Sequence, residues 1–124
     1  MTLQDKFETF INTQRQISAD ESELKVLDAL TFETSGRDIN SEEAQRILDH
    51  VNTKKNLEAD LTNMKAANEI LERSIVSDLQ ITGAGSVMLT ADNITFKVYV
   101  KTINYSDEHF FALPTYHLSF DPIN

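Results

Sequence analysis

His109 and His117, with Asp107, Glu108 and Asp121 close by in sequence, come nearest to a set of residues that could do chemistry in this chain of 124 residues. On neighbouring strands, two imidazoles and a carboxylate would supply the ligands of a three-ligand metal site. Their spacing follows no recognised ligand frame, so no metal is assigned. Asp49-His50 is a second acid–imidazole pair. Adjacent residues on a helix point about 100° apart, however, so the carboxylate cannot orient the ring as a general base. Gly83-Ala84-Gly85-Ser86 has the composition of a phosphate-cradling loop but the wrong neighbours, because it follows a helix, precedes a strand and lacks a Lys-Ser/Thr pair after it. It reads as a helix C-cap. There is no cysteine, no His-Glu-x-x-His and no Gly-x-Ser-x-Gly. The chain is expected to be no enzyme and to take no cofactor.

The elements that position these residues are dominated by one helical stretch, Ser41 to Leu79, that no Gly or Pro interrupts. At 1.5 Å per residue it would run about 58 Å, and a helix of that length must lie on another helix. One series of positions seven apart reads Ile47, Lys54, Leu61, Asn68, Ile75; its companion reads His50, Leu57, Met64, Leu71, Asp78. This is a coiled-coil seam with polar members, and Ile47, Leu57, Leu61, Met64, Asn68, Leu71 and Ile75 are its candidate contact residues. Two readings of Asn68 stay open. In a parallel dimer it pairs with its symmetry mate and fixes register; in an antiparallel hairpin it faces the first helix of its own chain.

That first helix begins at Thr2-x-x-Asp5, which has the form of a capping box. It continues through Leu3, Phe7, Phe10, Ile11, Ile17, Leu24, Leu27 and Leu30 at helical spacing. Phe32 to Asn40 reads as the connecting loop, with Asn40 as N-cap of the long helix and its amide acceptor aimed at the Glu43 N–H. Beyond Gly83 the pattern changes to period two. Ser86–Ala91, Ile94–Ile103, Phe110–Leu113 and Thr115–Phe120 read as strands, Asp92-Asn93 as a tight turn, and Asp121 to Asn124 as a frayed tail. The fold class is therefore α+β in one domain, a helical hairpin over 2–82 followed by a small antiparallel sheet over 83–124.

The net charge of −9 argues against ordinary contact with a nucleic-acid backbone. Residues 1–80 carry 16 of the 20 acidic and 9 of the 11 basic side chains, so the charge lies mainly on the helices. An acidic helical surface suits a protein partner with a basic surface, and Glu42, Glu43, Asp49, Glu58, Asp60, Glu69 and Glu72 are the candidates for it. The aromatic residues form a second candidate surface: Tyr99, Tyr105, Phe110, Phe111, Tyr116 and Phe120 fall within the last 26 residues. Phe111 and Tyr116 are the ones singled out there for partner contact. No apolar run has the length of a membrane span, and the N-terminus lacks the features of a signal peptide. A cytoplasmic protein without membrane contact is expected.

The run Lys54-Lys55-x-Leu57-Glu58-Ala59-Asp60-Leu61, followed by Ile81-Thr-Gly-Ala-Gly-Ser-Val-Met-Leu and a short β tail, resembles small bacteriophage proteins. The likeness is to siphovirus accessory proteins with a heptad helix and a terminal β segment and, more distantly, to Gam-like inhibitors of host nucleases; it covers about half the chain. A homo-oligomer is expected from the residues themselves, because the seam and the small sheet expose more apolar surface than one chain of this length can cover; with the likeness, the leading reading is a non-catalytic protein, in the host cytoplasm if phage-encoded, that binds and inhibits a host defence or nucleic-acid-processing protein. A virion assembly protein that oligomerises through its coiled coil is the alternative, and a small-ligand binder at the aromatic β end is another. Gam-like proteins are associated with DNA ends, whereas the helices here are acidic. No residue role is carried over by position.

Overall fold

A computed structural model describes residues 1–30, 38–103 and 115–123. The order is α1 (Leu3–Ala29), α2 (Ser41–Thr82), β1 (Val87–Ala91), β2 (Ile94–Ile103) and β3 (Thr115–Pro122). The α+β class read from the sequence is observed, with two helices leading into an antiparallel sheet of order β1-β2-β3. Among the described residues the sheet has three strands; the expected strand Phe110–Leu113 and most of the expected loop after α1 lie outside them. The tail is not frayed as expected. β3 runs on to Pro122, and the Ile123 N–H donates to the Thr95 carbonyl at 2.8 Å.

Local chemistry sets the ends of the helices. Thr2 and Asp5 cap α1 reciprocally: the Asp5 N–H donates to Thr2 Oγ1 at 3.1 Å and the Thr2 N–H to Asp5 Oδ2 at 3.2 Å. These hydrogen bonds, the backbone one foremost, hold the Asp5 carboxyl below the usual carboxylate range. Asn40 Oδ1 accepts from the Glu43 N–H at 2.8 Å and starts α2. Gly83, at φ 68°, ends it in a conformation that costs a residue with a Cβ. Asp92 and Asn93, at φ 50° and 62°, make the two-residue turn between β1 and β2.

The chain divides into two compact units: Met1–Gln14 belongs with Ala67–Asn124, and Arg15–Ala66 forms the second. The first unit holds almost all of the core. Phe7, Phe10 and Ile11 of α1 and Ile75, Val76 and Leu79 of α2 pack with Leu89, Ala91, Phe96, Val98 and Leu118 of the sheet. Four rings, Phe7, Phe10, Phe96 and Phe120, meet edge to face with centroids 5.6–6.0 Å apart. The buried set on α2 widens here from a two-position seam to Ile75, Val76 and Leu79, the broader arc needed to meet a sheet as well as a helix.

α1 and α2 run antiparallel in this unit, because Lys6 meets Asp78 and Phe10 meets Asn68. Lys6 Nζ lies 2.7 Å from Asp78 Oδ2 and donates to Ser74 Oγ at 2.9 Å. Asn68 is buried and its Nδ2 donates to the Phe10 carbonyl. In the second unit the sense is the same: Lys54 pairs with Asp28 at 2.6 Å and Lys65 with Glu21 at 2.9 Å. The hydrogen bond to Asp28, ahead of the attraction of its charge, raises the Lys54 pKa. The less exposed positions of α2 in this unit are Glu43, Ile47, His50, Lys54, Leu57, Leu61 and Met64, an unbroken alternation of four and three. Of the two readings of Asn68, the antiparallel one is realised. Lys54, Asn68 and Asp78, polar members of the seam, each meet a group on α1 of the same chain.

Among the described residues, both edges of the sheet are capped by a side chain from a helix. On β1, the Gln4 carboxamide accepts from the Thr90 N–H at 2.9 Å and donates to the Thr90 carbonyl, standing in for one residue of a neighbouring strand. On β3, the Leu118 N–H donates to Glu72 Oε1 at 3.2 Å. Such caps blunt edges that would otherwise pair with another chain.

Candidate functional site between α2 and the edge of β3

A cleft of about 470 Å³ opens within the first unit between the last turns of α2 and the start of β3. α2 contributes Glu69, Glu72, Arg73, Val76, Ser77 and Gln80, a stripe at spacings of three and four that one helix face must share. β3 contributes Thr115, Tyr116 and His117. Val76 is buried at the core margin, whereas Tyr116 is 47% exposed. The carboxylates differ in their engagements. Glu69 is held by Arg73 at 2.6 Å across one helical turn, a pair largely in solvent and weak for that reason. Glu72 is half-buried and tied to the β3 backbone.

The direction of the Leu118 N–H fixes the character of the strand edge. Antiparallel pairs alternate between those that exchange both backbone hydrogen bonds and those that exchange none. Leu118, opposite Val100, is of the second kind, since its amide turns to Glu72. Tyr116, opposite Thr102, and Phe120, opposite Val98, share its parity, so their N–H and C=O groups also point away from β2. β3 is an edge strand among the described residues.

Three of the residues expected on a partner surface, Glu69, Glu72 and Tyr116, are thereby brought to one site. The other acidic candidates are not. Asp49 and Glu58 lie about 180° apart around the helix axis, and Glu58 and Asp60 about 200° apart. Glu42 and Asp49 share a side and are engaged by α2 itself, Glu42 with Arg46 at 3.5 Å and Asp49 with Gln45 at 2.8 Å. Glu43 is half-buried at the capped first turn. The acidic set therefore makes a diffuse field and not a single face. Phe111, His109, Asp107 and Glu108 lie outside the described residues. Among the described residues no three His, Asp or Glu side chains are grouped to hold a metal ion.

The remaining aromatic residues divide between the two faces of the sheet. Phe120 is partly buried and packs against the core, and Tyr99 is on the outer face, where its hydroxyl donates to Asp121 Oδ2 at 3.0 Å and Lys97 Nζ stands 5.9 Å from its ring centroid. Donation to a carboxylate, with the repulsion of that charge, raises the Tyr99 pKa. Sequence reasoning missed Arg73, Val76, Ser77, Gln80 and His117 as neighbours. Their signal was the widened apolar arc at Ile75, Val76 and Leu79, which marks where a sheet must lie. No protein-family model, curated protein or solved structure matches the chain. No helix among the described residues is long and apolar enough to cross a membrane.

Proposed function

We propose that the protein is a non-catalytic, stoichiometric protein-binding module that holds its partner at the α2–β3 cleft while its negative charge speeds the encounter. The observation that carries this reading is the convergence of Glu69, Glu72 and Tyr116 on one cleft beside an edge strand. The diffuse acidic field acts at longer range. A net charge of −9 attracts a basic partner, raises its association rate and is screened by salt. In the phage setting that the sequence resembles, the partner is a basic host defence or nucleic-acid-processing protein, and the action is inhibition by occupancy.

The full-length chain used as bait in its native host cell, washed at low and at high salt, tests the reading. A protein recovered in fixed stoichiometry at low salt and depleted at high salt is the expected result. Recovery of capsid or tail proteins, retained at high salt, would replace it with a role in assembly. Reversing three or four of Glu42, Asp49, Glu58 and Asp60 to Lys should slow association about tenfold or more and leave folding nearly unchanged, since exposed charges act as a shared screened field.

A further inference from the structure

We propose that the cleft takes an extended, lysine- or arginine-bearing peptide segment of the partner, which adds as a further strand to β3, the edge strand among the described residues, at Tyr116, ahead of the Glu72 cap. This rests on the reading of the chain as a protein-binding module and names the form in which the partner is held. The warrant is the polarity of the edge. The outward N–H and C=O of Tyr116 are unclaimed by β2, and an incoming strand satisfies both, as in other cases of recognition by strand addition. Further along, Glu72 closes the edge at Leu118, so the added strand is short and its register is set by where that cap begins.

The walls of the cleft select the side chains. Successive residues of an added strand alternate in direction. One set turns toward Val76 and the Tyr116 ring and is apolar; the other meets solvent and the rim. The rim holds Glu69, Glu72 and Arg73, net −1 over these three, and the Glu69–Arg73 pair is exposed enough to exchange. A basic side chain there recovers the charge of Glu69 without burying an unpaired ion. A volume of about 470 Å³ holds a few residues of such a segment, within the ordinary range for a binding cleft.

The test is a titration of the ¹⁵N-labelled full chain with three synthetic decapeptides. One alternates valine with lysine, one alternates valine with glutamate, and one is the lysine peptide with proline at every second position. The lysine peptide should shift the amides of Tyr116, Leu118 and residues 69–80 of α2, bind at least fivefold more tightly than the glutamate form, and lose binding in the proline form. Tyr116→Pro removes only an outward N–H from the ladder and should weaken binding at least tenfold, more than Tyr116→Ala, which keeps that donor. Gln80→Trp, at an exposed helix position, fills the cleft without touching the sheet and should block binding even if the proline variant fails to fold. Shifts confined to β1 or to the outer sheet face, equal binding by both variants, or no binding at millimolar peptide would each overturn the proposal. A cellular partner that binds wild type and both variants alike would discard the cleft and leave stoichiometric binding standing. The lysine peptide seating at Tyr116 with no cellular partner recovered would keep the cleft and remove the wider reading.

Discussion

Asn68 reaches across the helix pair to donate to the backbone carbonyl of Phe10 at 3.4 Å, while its own Oδ1 is buried without a hydrogen-bond partner among the described residues. A long hydrogen bond on one side and none on the other make this residue a poor contributor to stability. Its value is positional. Phe10 also belongs to the ring cluster, so shifting α1 by one turn along α2 would break both arrangements.

Replacing Asn68 with Leu should therefore stabilise the fold. A buried polar atom without a partner costs about 1–3 kcal/mol, so a gain of about 1 kcal/mol and a rise of several degrees in Tm are expected. Calorimetry measures it. A fall in Tm would show that Asn68 is satisfied in solution and that removing it breaks a net favourable contact.

Loss of either edge cap should act more on solution behaviour than on stability. Gln4→Ala and Glu72→Ala are each expected to cost about 1 kcal/mol in chemical denaturation. The double variant should show a mass that grows with concentration as uncapped edges pair. Light scattering that stays at the wild-type mass for the double variant would mean that the caps serve the monomer fold alone.

Truncation in the ring cluster should be severe. Phe7 is fully buried and meets Phe96 and Phe120, so Phe7→Ala is expected to cost about 3–5 kcal/mol. Leu57→Ala, at a half-buried seam position, should cost well under half of that. Equal losses in urea unfolding would show that the two sites are packed alike.

Tyr99 gives a pH dependence with a definite sign. Its folded pKa is raised, chiefly because the neutral hydroxyl donates to Asp121. The contribution to stability is thus fully present below the unfolded pKa of about 10 and disappears as pH rises through the folded value. Tyrosinate absorbance in a Tyr105→Phe/Tyr116→Phe background should titrate above the free phenol, and Asp121→Asn should bring it back. A midpoint unmoved by Asp121→Asn would rule this cause out.

What the sequence displayed and what it concealed follow from range. The Thr2/Asp5 box, the Asn40 cap, Gly83 and the Asp92-Asn93 turn are decided by neighbours within a few residues, and each was legible. The heptads of α2 were equally plain, but not the orientation of their partner: Lys54, Asn68 and Asp78 are polar in any pairing, and only Asp28, Phe10 and Lys6, far away in sequence, make them antiparallel. Gln4 and Glu72 were opaque for a sharper reason. Nothing in a helix marks which exposed amide or carboxylate will lie beside a strand edge, so the site that Glu72 helps to build appears only once β3 is in place. The acidic residues looked like one face because they are close in sequence, and the helix rotates them apart.

The membership of the first compact unit bears on how the chain is made. Phe7, Phe10 and Ile11 are synthesised first, yet they pack on α2 beyond Ala67 and on strands that end near Pro122. At about 5–20 residues per second, those rings wait about 6–20 seconds for their last partners. Arg15–Ala66 is local in sequence and can zip up in the meantime. Folding is then set to begin in the middle of the chain and finish when both of its ends meet, and a ribosome stalled before β3 would hold three large apolar side chains open to whatever chaperone stands at the exit.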